Sequence, residues 1–108
     1  MEQVELERLG GGSAEPELAQ LRDRIDALDQ ELVRLMVARC RLASAAGQSK
    51  RSVGLAVVDP PREAAVVRRA AAQAREAGLD EEVIRKVFWW LIELARRSQG
   101  VGTPGATP

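Results

Sequence analysis

The side chains in this sequence best suited to act on a ligand are Arg22, Arg39, Lys50, Arg62, Glu63 and Gln99. Arg39 is the sharpest signal. It interrupts an apolar row, Leu18, Leu21, Ile25, Leu28, Leu32 and Leu35, that resumes at Leu42 and Ala46. The steps alternate three and four, the seam of a helix packed along another helix. An arginine in such a seam is costly unless an anion meets it. Lys50 follows eleven residues later. That is almost three whole turns, so both cations point the same way with Cα atoms about 16 Å apart along the axis. Two long side chains at that spacing can lean toward one anion. The bland alternative is a pair of solvated charges. Arg22 adjoins the seam about 25 Å from Arg39. Within one helix the two cannot share a small ligand, but in an antiparallel dimer Arg22 of one copy reaches the Arg39 region of the other. Taken alone, Arg22 reads as a surface arginine. Gln99 lies four residues past Ala95 on an apolar helix face, as a site amide or as a frayed helix end. Arg62 and Glu63 follow Asp59-Pro60-Pro61, a cap that holds them rigidly. Glu63 also reads simply as a first-turn partner of the helix dipole.

Composition removes much other chemistry. The 108 residues contain no histidine and a single cysteine, Cys40. Ser-His-Asp and Cys-His arrangements, an intramolecular disulfide and a multi-cysteine zinc site are all excluded. Any enzymology must work through arginine, lysine, carboxylates and amides. Sixteen basic residues balance sixteen acidic ones, so no excess positive field points to nucleic acid. No apolar run is long enough to span a bilayer, and the polar, acidic start is no signal peptide, so a cytoplasmic setting is expected. Cys40 reads as a small core residue.

The elements that must position these residues are helical. Alanine, leucine, arginine, glutamate and valine dominate, there is no tyrosine, and no β-branched runs recur at strand spacing. The expectation is one all-α domain over residues 15–100, between a flexible arm (1–14), with a short helix before its glycines as an option, and a disordered tail (101–108). A first helix runs from Glu15 or Pro16 to about Lys50, roughly 35 residues and roughly 50 Å. A compact chain of this size has a radius of gyration of about 13 Å. One copy cannot cover such a rod, so an intertwined homodimer is expected. The alternative is a helix broken near Gly47 and folded back into a monomeric bundle. After a loop, 51–58, Asp59 caps a second helix whose face is Val66, Val67, Ala70, Ala71 and Ala74, ending at Gly78. Asp80 caps a third, with Leu79 and Ile84 placed as a staple. Its face is Ile84, Val87, Phe88, Leu91, Ile92 and Ala95, and Gly100 ends it. Trp89 and Trp90 point about 100° apart, so both cannot face one core; one is expected at the dimer contact.

The segment Leu21-Arg22-Asp23-Arg24-Ile25-Asp26-Ala27-Leu28-Asp29 resembles the opening of the AroQ-type, all-helical chorismate mutases. The likeness continues through Arg39, Gly47-Gln48-Ser49-Lys50, Asp59-x-x-Arg62-Glu63, Gly78-Leu79-Asp80 and Gln99, over about residues 15–100. Each motif is weak; the ordered set with family-like spacing is strong.

The resemblance implies a three-helix protomer and a dimer with two equivalent sites in the biosynthesis of aromatic amino acids. It implies that Arg39, and Arg22 from the other copy, bind the two carboxylates of chorismate. Lys50 would lie near a carboxylate and the ether oxygen of the breaking bond, and Gln99 would donate to that oxygen. Glu63, with the backbone near Asp59, would receive the ring hydroxyl, and Arg62 would support the carboxylate cluster. A unimolecular pericyclic rearrangement needs no metal or cofactor, so the lack of histidine is no obstacle. Ala95 departs from the family, which often carries a hydroxyl or larger residue there. The same scaffold serves isochorismate pyruvate lyases and 4-amino-4-deoxychorismate mutases. Asp59-x-x-Arg62-Glu63 with Gln99 favours the mutase over the lyase, and the amino substrate stays open. Three further readings are a member needing a partner enzyme, a non-catalytic mutase-like dimer with a binding or regulatory role, and a plain coiled-coil module.

Overall fold

A computed structural model describes residues 14–100. The expected arm and tail therefore lie outside the described residues, apart from Ala14, which is already helical. Three helices follow in order: α1 (Ala14–Ser52), α2 (Pro60–Glu76) and α3 (Glu81–Ser98). Among the described residues there is no strand. The chain divides into two units, one ending at Leu35 and one beginning at Met36.

The first unit contributes the N-terminal part of α1. Glu15 and Glu17 sit in its first turn, where the helix dipole favours acids. Leu18, Ile25, Leu28, Leu32 and Leu35 are all exposed, Leu28 to 64%. The seam read from the sequence is there, and nothing in the described chain covers it. Arg34 forms a charge-assisted fork with Glu31 one turn before it. The Arg34 guanidinium holds the Glu31 carboxyl below its usual range, at an exposed position.

In the second unit, α1 continues without a break through Gly47 to Ser52. The bundle broken at Gly47 is thus not the fold. A mid-helix glycine costs about 1 kcal/mol relative to alanine. Here it removes a side chain where space is short: a Cβ on Gly47 would stand 2.8 Å from Gln99 Oε1. Lys50 and Arg51 occupy the last turn, the favoured end for cations. Gly54, at φ +75°, then reverses the chain. The Leu55 amide donates to the Lys50 carbonyl at 2.8 Å and the Gly54 amide to the Arg51 carbonyl at 3.2 Å, a Schellman closure.

Asp59 caps α2 as expected, its Oδ1 accepting from the Arg62 amide at 3.1 Å. Gly78, at φ +77°, ends it with a second Schellman closure, Leu79 amide to Ala74 carbonyl at 2.8 Å. Asp80 caps α3 in the same way, accepting from the Val83 amide at 3.1 Å. The core is Val67, Ala70, Ala71, Ala74, Ile92 and Ala95, a seam of small residues between α2 and α3. Small side chains let two helices approach closely, which fixes where the end of α3 meets α2.

The expected core is partly corrected. Val87 is 40% exposed, while Ile84, Phe88 and Leu91 are only half-buried. Cys40 is half-buried rather than a core residue. Glu93, which the apolar pattern passed over, is buried. It is tolerated because Arg97 Nε donates to it at 3.2 Å and Arg96 Nη1 lies 3.8 Å away. No large side chain of the described residues is fully buried.

Candidate active site

The second unit encloses a half-open cavity of about 360 Å³. Its lining is apolar at residues such as Ala43, Ala46, Val66, Ile92 and Ala95 and polar elsewhere. Four cations, Arg39, Lys50, Arg62 and Arg96, and two acids, Asp59 and Glu63, line it, so positive charge exceeds negative by two. A concave, largely apolar pocket with a few convergent polar groups is the usual form of a small-molecule site. An excess of two positive charges suits a small dianion.

Each element delivers its own part. On α1, Arg39 and Lys50 share one face, as their spacing predicts, and both are half-buried. Arg39 Nη1 donates to the Leu91 carbonyl of α3 at 3.4 Å, and Lys50 Nζ to the Val57 carbonyl at 3.3 Å. Both contacts are long for N–H···O bonds and leave most of each cation's hydrogens for a ligand. Lys50 also takes part in the α1 closure through its own carbonyl, so the turn that ends α1 presents its ammonium beside Val57 and Val58.

The rigid start of α2 supplies Asp59, Arg62 and Glu63. The Asp59 carboxylate serves as the helix cap, and its carbonyl accepts from the Glu63 amide at 3.0 Å. Glu63 is paired with Arg96 of α3. Gln99 is the C-cap of α3 and is half-buried, not a frayed end. Its Nε2 donates to the Ala95 carbonyl at 3.2 Å, and its Oε1 is buried without a hydrogen-bond partner. Such an orphaned acceptor is uncommon in a folded chain.

Six of the seven site residues read from the sequence thus line one cavity: Arg39, Lys50, Asp59, Arg62, Glu63 and Gln99. Arg22 does not; it lies in the first unit, exposed on α1. Arg96 was missed. Its signal was present, since it stands four residues after Ile92 and three before Gln99 on the face that turns inward, where a charge is as anomalous as Arg39 in its seam.

Comparison with known proteins gives the family. The family model described as chorismate mutase type II matches residues 21–100. The chain belongs to that family. Among relatives of this chorismate mutase family member, the chorismate mutase of Methanocaldococcus jannaschii is 33% identical over 76 residues, 70% of this chain and 77% of that protein. The T-protein of Haemophilus influenzae is 37% identical over 71 residues, 66% of this chain but 19% of that protein. The T-protein of Enterobacter agglomerans is 36% identical over 76 residues, 67% of this chain and 20% of that protein. The chain thus spans about a fifth of each T-protein and about three quarters of the mutase. Among the described residues the architecture is all-α with three helices, as expected of the family.

Proposed function

We propose that this protein rearranges chorismate to prephenate in the biosynthesis of aromatic amino acids, at a site completed by a second copy of the chain. The observation that carries the reading is the cavity with two positive charges in excess and an amide at its wall. Chorismate carries two carboxylates, and its rearrangement breaks a C–O bond and forms a C–C bond within one molecule. No proton is transferred, so arginine, lysine and amide groups suffice. Arg39 takes one carboxylate and the partner's Arg22 the other, which holds the substrate in its reactive folded conformer. Lys50 lies beside the ether oxygen as it gains negative charge, and the second N–H of Gln99 Nε2 donates to it. Glu63 and the backbone at Asp59 receive the ring hydroxyl, and Arg62 adds positive potential to the carboxylate cluster.

The second copy is supported by the exposed seam of α1. A helix with Ile25, Leu28 and Leu32 more than half exposed has the surface that a partner helix covers. The outward stripe Val83, Val87, Trp90 and Leu94 on α3, with Trp89 also exposed, is further apolar area that a partner could cover. A cytoplasmic setting fits the balanced charge and the lone Cys40; among the described residues no helix is long and apolar enough to cross a membrane.

The test is a substrate comparison. Purified protein is incubated separately with chorismate, isochorismate and 4-amino-4-deoxychorismate, and products are identified by chromatography. Prephenate from chorismate as the fastest reaction is the expected result. A faster reaction with either analogue replaces the substrate and keeps the site. No turnover of any of the three overturns the proposal in favour of a non-catalytic dimer or one that needs a partner enzyme.

A further inference from the structure

The cavity's two acids are both already engaged. Asp59 Oδ1 holds the Arg62 amide at the start of α2. Glu63 is held by Arg96. The Glu63 and Arg96 side chains are 17% and 26% exposed, so the pair is largely shielded from solvent. Behind it the alternation continues: Arg96 Nη1 lies 3.8 Å from Glu93 Oε2, and Arg97 Nε 3.2 Å from Glu93 Oε1. The Arg96 Nε is buried without a hydrogen-bond partner, so that guanidinium is placed by its two carboxylates rather than by a full set of bonds.

This arrangement decides what a ligand's third substituent can be. A carboxylate already facing a guanidinium keeps lone pairs for a neutral donor such as a hydroxyl. It offers a cation little, because the cation must also sit close to Arg96. The lining charges act in the same direction: an ammonium adds a cation to a cavity whose own side chains already carry more positive than negative charge.

We propose that Arg96 is a specificity-determining residue that, by holding Glu63, makes the cavity select a hydroxyl-bearing dicarboxylate over its ammonium-bearing analogue. This rests on the reading of the cavity as the site for chorismate or a close relative. Arg96 acts through Glu63 and is a positioning residue.

The test compares chorismate with 4-amino-4-deoxychorismate in the full chain, wild type against Arg96→Met and Arg96→Lys. Both kcat/KM and equilibrium binding by calorimetry are read for each compound. Wild type should prefer chorismate. Arg96→Met should shrink that preference about tenfold, mainly by raising affinity for the amino compound, as expected when one like charge is removed from a partly screened site. Arg96→Lys should keep most of the preference, because it keeps the charge. A purely structural role for Arg96 would lower both compounds together, and an unchanged ratio in Arg96→Met overturns the proposal. Should Arg96→Met not fold, Glu63→Gln provides a second reading: it should weaken binding of the amino compound no more than that of chorismate, and a selective loss of the amino compound overturns the assignment. Wild-type binding of chorismate without turnover removes the catalytic reading and leaves the binding ratio to judge Arg96. Failure to bind either compound overturns both.

Discussion

Arg39 and Lys50 each give a hydrogen to a distant backbone carbonyl and keep the others in reserve. That makes them groups placed by the fold and not consumed by it. Lys50→Ala should lower kcat for chorismate by about 10²- to 10³-fold, the usual loss when one preorganised donor to a developing oxyanion is removed, with the far-ultraviolet helix signal unchanged. Arg39→Leu separates two readings of the seam. A plain coiled-coil module becomes more stable and loses nothing; the proposed enzyme loses kcat/KM for chorismate. At this scale the sequence was informative where a residue broke a pattern. Arg39 was legible because it stands in an apolar row. Arg96 breaks a helical face in the same way but was passed over, because its partner Glu63 lies 33 residues away and only the packing of α2 against α3 brings them together. The engagement of Glu63 was likewise invisible, and the sequence left the amino substrate open as an alternative to chorismate.

The helix limits were largely written in local chemistry. Asp59, Asp80, Gly78 and Gly100 mark ends that need only the nearest few residues, and the caps and closures follow them. Tertiary facts were less accessible. The same apolar period that located α3 could not rank its burial, so Val87 was expected inside and is 40% exposed. Gly47 is the clearest case. Its helix-breaking tendency opened the reading of a broken α1, whereas the helix runs through it and a Cβ there would crowd Gln99. Gly47→Ala therefore sets two effects against each other. The helix gains up to about 1 kcal/mol in propensity, and the new Cβ, 2.8 Å from Gln99 Oε1, displaces the amide. The side-chain end can swing away cheaply, so thermal stability should hold or rise while kcat falls about tenfold, a modest share of the loss typical of removing such a donor. Circular-dichroism melts and kinetics on the same preparation check this; a stable variant with full kcat would remove Gln99 from the mechanism.

For the whole molecule, the proposed second copy rests on the exposed seam of α1 and on the lack of any large fully buried side chain among the described residues. Sequence length and periodicity carried that expectation, because a helix of this length outruns what a chain of 108 residues can cover. Mixing Arg22→Ala with Arg39→Ala tests the shared site. Each variant alone should be nearly inactive. After unfolding and refolding together, half the dimers are mixed and each mixed dimer has one intact site, so activity should return to about a quarter of wild type. Activity that stays at zero would overturn the shared site. The charge distribution has a separate consequence. The chain is neutral as a whole, yet its cavity carries two surplus positive charges behind a half-open mouth. Attraction for the substrate is therefore local, and any small multivalent anion shares it. Sulfate or phosphate in the assay buffer should act as a competitor, raising KM several-fold at about 0.1 M while leaving kcat in place, and sodium chloride of equal ionic strength should do less, because it screens charges more than a Debye length apart but does not occupy the cavity as a multivalent anion does.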